Sequence, residues 1–387
     1  MTPCTLFRPL RGTYPIKGLV YPGTMYESAR FPSLVRKGRS SMREPLVDLS
    51  NEMLRASLGA RYGLAVADLT FLPLGQDSSA WVYRVETADG APYFLKVRRR
   101  VTNPPSLLVP RYLHDQGIAQ VIAPFPTDSQ TLWTEVEGYA LILYPFVAGT
   151  TGMEHGMAPR QWIDYGAILR QIHAAAIAPD LTQIMQRESF VPAGAGMVRD
   201  LEAYLGGRTF ADPAEQALAI FWHERREDIR TLVERAEDLG QRLAQTAPEF
   251  VLCHADIHTN NVMLDAGGQV WIVDWDETLL APIERDLMFV AGGGINSALV
   301  GPREEELFFR GYGAATLDPL ALAYYRYAWA VGDIGAYGHQ VFFRPDLGEV
   351  TKRASVDQFM GLFMPGRIVA LAFATDHLAG SATAGEP

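Results

Sequence analysis

The stretch VLCHADIHTNNVMLDAGGQVWIVDWD, residues 251–276, constrains the fold more than any other part of the chain. Two short apolar runs flank the polar loop HADIHTNN, and a third run, VWIV, ends at Asp274. Asp265, followed by Gly267 and Gly268, supplies the chemistry of a tight turn. The pattern predicts a hairpin that holds the polar loop and Asp274 on one edge.

The loop carries the spacing H-x-D-x-x-x-x-N, which kinase-like phosphotransferases use. Asp256 would be the base that accepts a hydroxyl proton, and His254 would brace the loop. Asn261 and Asp274 would bind magnesium, which prefers hard oxygen ligands. Alternatively, HADIHTNN could be a polar turn without a catalytic role. A zinc pair of His254 and His258 lacks a cysteine or a third histidine at metal spacing.

Nucleotide contacts are predicted upstream of this hairpin. Lys96 lies within the apolar run FLKV, where burial is costly without an anionic partner, so we expect it to hold phosphates. Taken alone, FLKV would equally fit an edge strand whose lysine points to solvent. Ser78 and Ser79, in LGQDSSAW, could donate to phosphates or simply form a turn. YPFVAG follows an apolar strand, where a hinge between lobes would place adenine against the backbone near Tyr144 and Phe146.

The chain divides into three parts by pattern. Residues 1–41 are rich in Pro, Gly, Ser, Arg and Tyr and are expected to be a poorly ordered extension. Translation from Met42, a transit peptide and a docking arm are the alternatives. Residues 42–148 predict a five-stranded antiparallel sheet with one helix, interrupted at Pro110. Residues 149–387 are mostly helical, and helices are expected after the hairpin over 286–291, 303–313, 318–340 and 352–374. The fold class is therefore α+β.

Composition and net charge indicate which kinds of ligand and which cellular compartment suit the chain. Of 387 residues, 48% are hydrophobic and 20% charged, as in ordinary globular proteins. The net charge is -10, and seven basic residues against one acid in 1–41 leave -16 on the remainder. An acidic body disfavours nucleic acid and favours cationic small molecules. Two cysteines, Cys4 and Cys253, suit a reducing cytoplasm. No apolar run is long enough for a membrane span.

Several stretches together resemble the aminoglycoside phosphotransferase family: VLCHADIHTNNVML, IVDWDETLLAPIERDLMFVAGGG, YYRYAWAVGDIGAYG, ILYPF and LRQIHA. APIERDLMF and GDIGAYG point to its spectinomycin phosphotransferase branch. The resemblance runs from about residue 42 to 376. It implies a bilobal protein-kinase-like fold that uses ATP, or GTP, with Mg²⁺. It also assigns Asp256 as base, Asn261 and Asp274 as metal ligands, and Lys96 to the phosphates. Asp286 should cap a helix and steady the loop.

The family acceptor is a hydroxyl of a cationic aminocyclitol, which acids and an aromatic ring would bind. The candidates here are Asp276, Glu277, Asp333 and Tyr337, with Arg326 shaping the wall. Each could instead be a surface charge or a packing ring, and Asp276 could be a second metal ligand or a supporting acid. The resemblance implies a cytoplasmic monomer or weak dimer that phosphorylates spectinomycin or a related aminocyclitol and confers resistance. The acidic charge and the lack of a long apolar run predict no nucleic-acid or membrane partner.

One feature departs from the family pattern. Active members usually pair the strand lysine with a glutamate of the following helix, but no Glu or Asp occurs from Gly90 to His114. Pro104 or Pro105 stands roughly where that acid is expected. A nucleotide-binding pseudokinase therefore remains an alternative. The same family signature also allows a kinase of choline, an amino alcohol or a sugar. A metal-dependent hydrolase has too few ligands.

Overall fold

The protein is described from a computed structural model that covers residues 46, 48–73, 80–295, 299–345 and 347–381. The fold is α+β and bilobal, as predicted, with an antiparallel sheet in the N-terminal lobe and a larger, mainly helical lobe after it. The predicted extension 1–41 and the predicted phosphate-loop residues Ser78 and Ser79 lie outside the described residues.

The N-terminal lobe contains a sheet and two helices, one helix more than predicted. Its elements are α1 (Asn51–Tyr62), β1 (Val66–Leu72), β2 (Ala80–Thr87), β3 (Pro92–Arg98), α2 (Pro105–Asp115), β4 (Thr134–Val136) and β5 (Tyr139–Pro145). The five strands are antiparallel in the order β1-β2-β3-β5-β4. The predicted five-stranded sheet is confirmed.

Helix α1 closes one face of this sheet. Ser50 caps its N-terminus by accepting from the backbone N–H of Met53, and Gly63 ends it with φ 67°, a conformation that favours glycine. Leu54 and Leu58 lie on its buried face and join a core cluster with Leu95 of β3. Alternation along the strands sends their other side chains to the opposite face, where Lys96 lies.

Helix α2 corrects one prediction. The helix runs through Pro110 without a break. A proline at this position removes the hydrogen bond that its N–H would make to the carbonyl of Ser106, one turn earlier, and its ring crowds that carbonyl. The buried residues Leu107, Val109 and Leu113 outweigh that loss by packing into apolar clusters.

The C-terminal lobe contains the remaining elements. They are β6 (Gly149–Thr151), α3 (Gly152–His155), α4 (Pro159–His173), α5 (Pro179–Ile184), α6 (Ala195–Leu205), α7 (Pro213–Glu224), α8 (Arg226–Ala244), β7 (Val251–Cys253), β8 (Val262–Asp265), β9 (Val270–Ile272), β10 (Leu279–Ala281), α9 (Glu284–Leu287), a 3₁₀ turn (Ala291–Gly293), α10 (Pro302–Tyr312), α11 (Pro319–Phe343), α12 (Glu349–Leu362) and α13 (Ile368–Ser381).

Two predicted helices differ from the observed ones. The helix expected over 286–291 is the single turn α9, which ends at Leu287. The helix expected over 352–374 is two helices, α12 and α13. Pro365 and Gly366 lie between them, and Gly366 has φ 73°. A proline followed by a left-handed glycine ends a helix, and this local signal outweighs the apolar periodicity on either side.

Helix α11 is the centre of the large lobe and packs against α6, α8, α12 and α13. Its N-terminus is fixed by Asp318, whose carboxylate accepts from the N–H of Leu320, with Pro319 in the first turn. The helix is buried along most of its length, and its remaining side chains, which include that of Asp333, are half-buried. Among the described residues, no helix is both long and apolar enough to cross a membrane.

Candidate active site

The catalytic hairpin is built from β8 and β9. Val262 pairs with Ile272, and the carboxylate of Asp265 closes the turn by accepting from the N–H of Gln269 at 2.9 Å and from the indole of Trp271 at 3.0 Å. Strand β7 leads into the polar loop and pairs with β10, which the sequence did not predict.

The backbone brings the two expected metal ligands to the same end of this hairpin. The N–H of Val273 donates to the carbonyl of Asn261 at 3.1 Å, which continues the pairing beyond β8 and β9. Asp274 follows directly, with φ 64°, a left-handed conformation that is uncommon outside glycine. Such strain often marks a functional position, and here it turns Asp274 out of the strand direction.

His254 holds the loop against the hairpin. Its Nε2 donates to the carbonyl of Val273 at 3.0 Å, and its Nδ1 accepts from the N–H of Asp256 at 3.3 Å. Both bonds require the neutral tautomer with the proton on Nε2. Burial lowers the pKa of His254, which favours that neutral form. The ring also lies 4.6 Å from Trp275 between centroids.

Asp286 fixes the backbone of the same loop. Its carboxylate accepts from the N–H of His254 at 2.8 Å and from the N–H of Ala255 at 2.6 Å. The expectation that it steadies the loop is confirmed, but it does not cap a helix, since Ile283 is at the N-cap of α9 and makes no side-chain cap. Its carboxylate is turned toward the loop because two N–H groups there need an acceptor.

His173 contacts Oδ2 of Asp286, the same oxygen that accepts from the N–H of His254. Nε2 of His173 lies 3.0 Å from Asp286, and its Nδ1 lies 2.8 Å from the hydroxyl of Tyr312. Burial opposes ionisation of Asp286, but the hydrogen bonds and charge of its partners outweigh burial and lower its pKa. Both ring nitrogens of His173 thus have partners, and the residue is a structural histidine.

Asp256 is a partly buried acid with one oxygen held in place. Its Oδ2 accepts from Nδ2 of Asn261 at 3.0 Å, while its Oδ1 lies 3.3 Å from Nε2 of His258 without hydrogen-bond geometry. Burial raises the pKa of Asp256 to about 6, despite the opposing charge of His258. A base of this pKa is ionised at neutral pH and still accepts a proton readily.

Asn261 and Asp274 offer the donor set that suits magnesium. The amide nitrogen of Asn261 donates to the backbone carbonyl of Asp256 at 2.7 Å as well as to its side chain, which leaves the amide oxygen to face a cation. The side chain of Asp274 is 46% exposed, so it is open to a ligand. Hard oxygens on neighbouring strands fit Mg²⁺.

A second cluster resembles a metal site only by proximity. Atoms of His173, Cys253 and Asp286 lie within 4.8 Å of one another. The ring nitrogens of His173 and the carboxylate of Asp286 already make the bonds given above. Burial raises the pKa of the Cys253 thiol, which faces the carbonyls of Ala281 and Pro282. These groups serve the packing of the loop.

Lys96 reaches the hairpin from the sheet of the other lobe. Its ammonium lies 3.0 Å from Oδ1 of Asp274 and 2.7 Å from Oδ2 of Asp276. Burial alone would lower the pKa of Lys96, but the two carboxylates outweigh it and raise that pKa. Asp276 therefore lies against the lysine, and the acceptor-binding role expected of it is replaced by an ion pair.

The adenine-side residues lie at the end of β5. Tyr144 is opposite Phe94 in the sheet, with ring centroids 6.3 Å apart, and burial raises the pKa of its hydroxyl. Phe146 follows the strand, and the guanidinium of Arg84 lies 5.1 Å from its ring centroid. Tyr144 thus faces the Lys96 side of the sheet, while Phe146 lies at the chain's exit from the strand.

Two acceptor candidates stand together on α11. Asp333 and Tyr337 are one turn apart and share a helix face. Burial raises the pKa of Asp333 to about 7, with a further contribution from the charge of Asp256, while a hydrogen bond from Trp329 opposes the rise. Burial raises the pKa of Tyr337, and the charges of Asp333 and Asp256 raise it further. Glu277 is exposed, and its negative charge contributes to the raised pKa of Asp256.

Arg326 has a different setting from the one expected. It is 3% exposed, and its guanidinium donates to the carbonyl of Ala291 at 2.5 Å and to the hydroxyl of Thr375 at 2.8 Å. Burial lowers its pKa to about 10. Gly292, with φ 58°, lets the loop pass over this guanidinium, because a Cβ there would lie 2.9 Å from it. Arg326 thus supports a loop.

Sequence reasoning missed three neighbours of the site. His258 was considered only as a zinc ligand, yet it faces Asp256. Trp329 lies on α11 one turn before Asp333, and its ring contacts Phe289 at a centroid distance of 5.0 Å. Arg98 donates to Oδ1 of Asp276 at 3.2 Å. The i, i+2 spacing of Arg98 from Lys96 on β3 was the available signal, since it places both cations on one face.

A bilobal fold, a sheet lysine that reaches the catalytic hairpin, and a loop of the H-x-D-x-x-x-x-N type define the class of kinase-like phosphotransferases. The profile of the phosphotransferase enzyme family matches residues 70–327. The chain belongs to this family, and it is an enzyme that transfers a phosphoryl group to a hydroxyl acceptor.

Individual relatives refine this picture. The chain is 31% identical to a spectinomycin phosphotransferase, APH(9)-Ia, whose crystal structure contains ADP and spectinomycin; the match has a TM-score of 0.77 and covers 85% of this chain and 99% of that one. A 3-deoxy-D-manno-octulosonic acid kinase from Xanthomonas campestris pv. campestris is 23% identical over a region covering 40% of this chain and 78% of the relative. An ethanolamine kinase of Plasmodium vivax, 13% identical with a TM-score of 0.53, shares the fold.

Proposed function

We propose that this protein transfers the γ-phosphoryl group of ATP, with Mg²⁺, to a hydroxyl of a cationic aminocyclitol, and that spectinomycin is its acceptor. The observation that carries the proposal is the half-buried Asp333 of α11 near the base, where the charge of Asp256 contributes to the raised pKa of Asp333. The relative at 31% identity, which binds ADP and spectinomycin, supports the same acceptor.

Asp256 is the general base in this proposal. Its Oδ2 is occupied by the amide of Asn261, so Oδ1 is the atom that accepts the proton of the acceptor hydroxyl. Nε2 of His258 lies 3.3 Å from that oxygen. As the hydroxyl oxygen bonds to phosphorus, the bond to the leaving oxygen of the nucleotide breaks, and the proton remains on Asp256.

The remaining groups hold the nucleotide. The amide oxygen of Asn261 and the carboxylate of Asp274 would bind magnesium, which when bound neutralises charge on the phosphates. Lys96 would contact the phosphates from the sheet side. The backbone near Tyr144 and Phe146 would receive the adenine ring of ATP.

The acceptor region suits a cation. Carboxylates of Asp256, Asp333 and Glu277 attract ammonium groups, and the hydroxyl of Tyr337 and the ring of Trp329 offer a polar edge and an apolar face. The phosphorylated product would carry a dianion that weakens its binding to the ribosome. Resistance in the cytoplasm would follow.

The charge of the acceptor region distinguishes spectinomycin from some alternative acceptors but not from all of them. The Xanthomonas relative is named for an acidic sugar, and an acidic sugar would be repelled by the carboxylates beside Asp256. Choline or an amino alcohol would be attracted by the same groups, so a kinase of a small cationic metabolite is the second candidate. The ion pair of Lys96 with Asp276 counts against a pseudokinase, because the lysine has an acidic partner.

The test is nucleotide consumption by the purified protein with Mg²⁺ and a panel of spectinomycin, other aminoglycosides, choline, ethanolamine and neutral sugars. Asp256→Asn is the control for contaminating activity. Turnover with spectinomycin and a phosphorylated product by mass spectrometry would support the proposal. Turnover with choline or ethanolamine alone would replace the acceptor, and binding of ATP without turnover would favour the pseudokinase.

A further inference from the structure

The unexplained feature of the site is how Lys96 is held without a helix acid. Lys96 lies on β3 between Val82 and Ile142 of the neighbouring strands, and its side chain is 11% exposed. A buried ammonium needs an anionic partner to be retained in one position. The question is which residue supplies that partner once Asp274 is bound to a metal.

Helix α2 cannot supply it. It contains a single acid, Asp115, at its C-terminal end, and that acid pairs with Arg111 on the same helix. The side of α2 that packs toward β5 is apolar, since Leu107 lies in a cluster with Ile142. A carboxylate from this helix is therefore absent where the lysine lies.

Asp276 has the contacts that such a partner requires. Its Oδ2 lies 2.7 Å from the ammonium of Lys96, the shorter of the lysine's two carboxylate contacts. Its Oδ1 lies 3.2 Å from the guanidinium of Arg98, and Nδ2 of Asn103 donates to its backbone carbonyl at 3.0 Å. Asp276 is thus fixed through both its side chain and its backbone by the N-terminal lobe.

The two hairpin acids differ in exposure. The side chain of Asp274 is 46% exposed, and that of Asp276 is 21% exposed with both oxygens engaged by cations. An open carboxylate can take a metal ion, whereas an engaged one would have to release Lys96 or Arg98 first. This difference assigns separate tasks to residues that are only two positions apart.

We propose that Asp276 is a positioning residue that replaces the missing helix acid and holds Lys96 for phosphoryl transfer, while Asp274 serves the metal. The inference rests on the proposed function and deepens it. Lys96 is then placed by the catalytic hairpin of the opposite lobe, so its position depends on contact between the lobes and not on the position of α2. Arg98 and Asn103 complete this contact.

The test is a double-mutant cycle with Asp276→Asn and Lys96→Met. Asp276→Asn should lower kcat roughly ten- to a hundredfold, the range for a lost hydrogen bond to a charged group. In the Lys96→Met background the same change should cost little more, because the group it positions is gone. Asp276→Glu keeps the carboxylate and should recover part of kcat. If Asp276→Asn folds poorly, Asp276→Glu replaces it in the cycle.

Metal binding separates this role from ligation. Mn²⁺ binding to the ADP complex, followed by electron paramagnetic resonance, should be unchanged in Asp276→Asn and weakened in Asp274→Asn. Asp115→Asn is the matched surface control and should change neither kcat nor Mn²⁺ binding. Weakened Mn²⁺ binding in Asp276→Asn, or losses of kcat that add in the double variant, would overturn the proposal.

This test can be interpreted even if spectinomycin is not the acceptor. Mn²⁺ binding needs no acceptor, and the cycle can be measured on slow hydrolysis of the nucleotide by water. A protein silent toward every acceptor in the panel would contradict the proposed function. An intact coupling of Lys96 to Asp276 under those conditions would still support the positioning role.

Discussion

The carboxylate of Asp286 accepts a hydrogen bond from the backbone N–H of His254 at 2.8 Å, across 32 residues of chain. The same carboxylate accepts from the next N–H, that of Ala255, which has φ 68°. A left-handed alanine is a costly conformation that needs fixed partners to persist. Asp286 therefore determines the shape of the loop that carries Asp256.

Replacing Asp286 by Asn should destabilise the fold and the loop together. The amide can accept from one N–H but leaves another buried donor unpaired, which costs about 1–3 kcal/mol in the free energy of unfolding. Denaturant unfolding would measure the loss, and kcat should fall with it because Asp256 loses its support. Asp164→Asn, at an exposed ion pair with Arg160, is the matched control and should change neither value.

The pH dependence of stability gives a second readout of Asp286. Because its pKa is lowered in the folded state, its stabilisation is present above the ordinary carboxyl value of about 4 and is lost as pH falls through the lowered pKa. Asp286→Asn should flatten that acid-side loss. An unchanged acid limb would show that other carboxylates dominate it.

Local spacing explains why the sheet and the catalytic loop could be predicted. Alternation along AWVYRVET and PYFLKVR, with Asp89 and Gly90 between them, specifies a hairpin without reference to the rest of the chain. The spacing of His254, Asp256 and Asn261 is likewise contained in eight residues. Both signals depend on neighbours in the sequence, which a single chain displays directly.

Long-range partners explain what could not be predicted. Lys96 and Asp276 are 180 residues apart, and no periodic pattern joins them. The sequence therefore indicated a lysine without a partner, while the fold supplies one from the other lobe. The pairing of β7 with β10 was missed for the same reason, since three-residue strands carry too little alternation to be recognised.

Binding of a cationic acceptor should depend on the ionisation of Asp333. Its pKa of about 7 in the free protein means that the group is half neutral near pH 7. The ionised form attracts an ammonium group, so KM for a cationic acceptor should fall as pH rises from about 6 to 8, with KM for ATP unaffected. Initial-rate measurements across that range would check this.

Asp333→Asn is the control for that pH profile. The amide cannot ionise, so KM for the acceptor should be raised at all pH values and its change between pH 6 and 8 should disappear. A profile that persists in Asp333→Asn would assign the titration to another group.

Two helical glycines should respond oppositely to alanine. A Cβ at Gly311 in α10 would lie 1.8 Å from the carbonyl oxygen of Ile163 in α4, so alanine there must separate the helices. Overpacking of this kind costs about 1–3 kcal/mol. Gly361 in α12 has no atom within 4 Å of such a Cβ, so alanine should stabilise the helix by about 0.5–1 kcal/mol. Thermal unfolding of both variants would compare the signs, and equal shifts would contradict the close approach of α4 and α10.

Asp256→Asn should separate chemistry from nucleotide binding. The amide oxygen of the new side chain can still accept from Nδ2 of Asn261, so the loop keeps its shape while the base is lost. Removal of a general base lowers kcat by about 10²–10⁴-fold. The affinity for ATP, measured by calorimetry, should change little, whereas Asp274→Ala should weaken ATP binding only when Mg²⁺ is present. If Asp256→Asn weakened ATP binding as much as it lowered kcat, the acid would have to act on the nucleotide or the loop, and the proton would need a different acceptor.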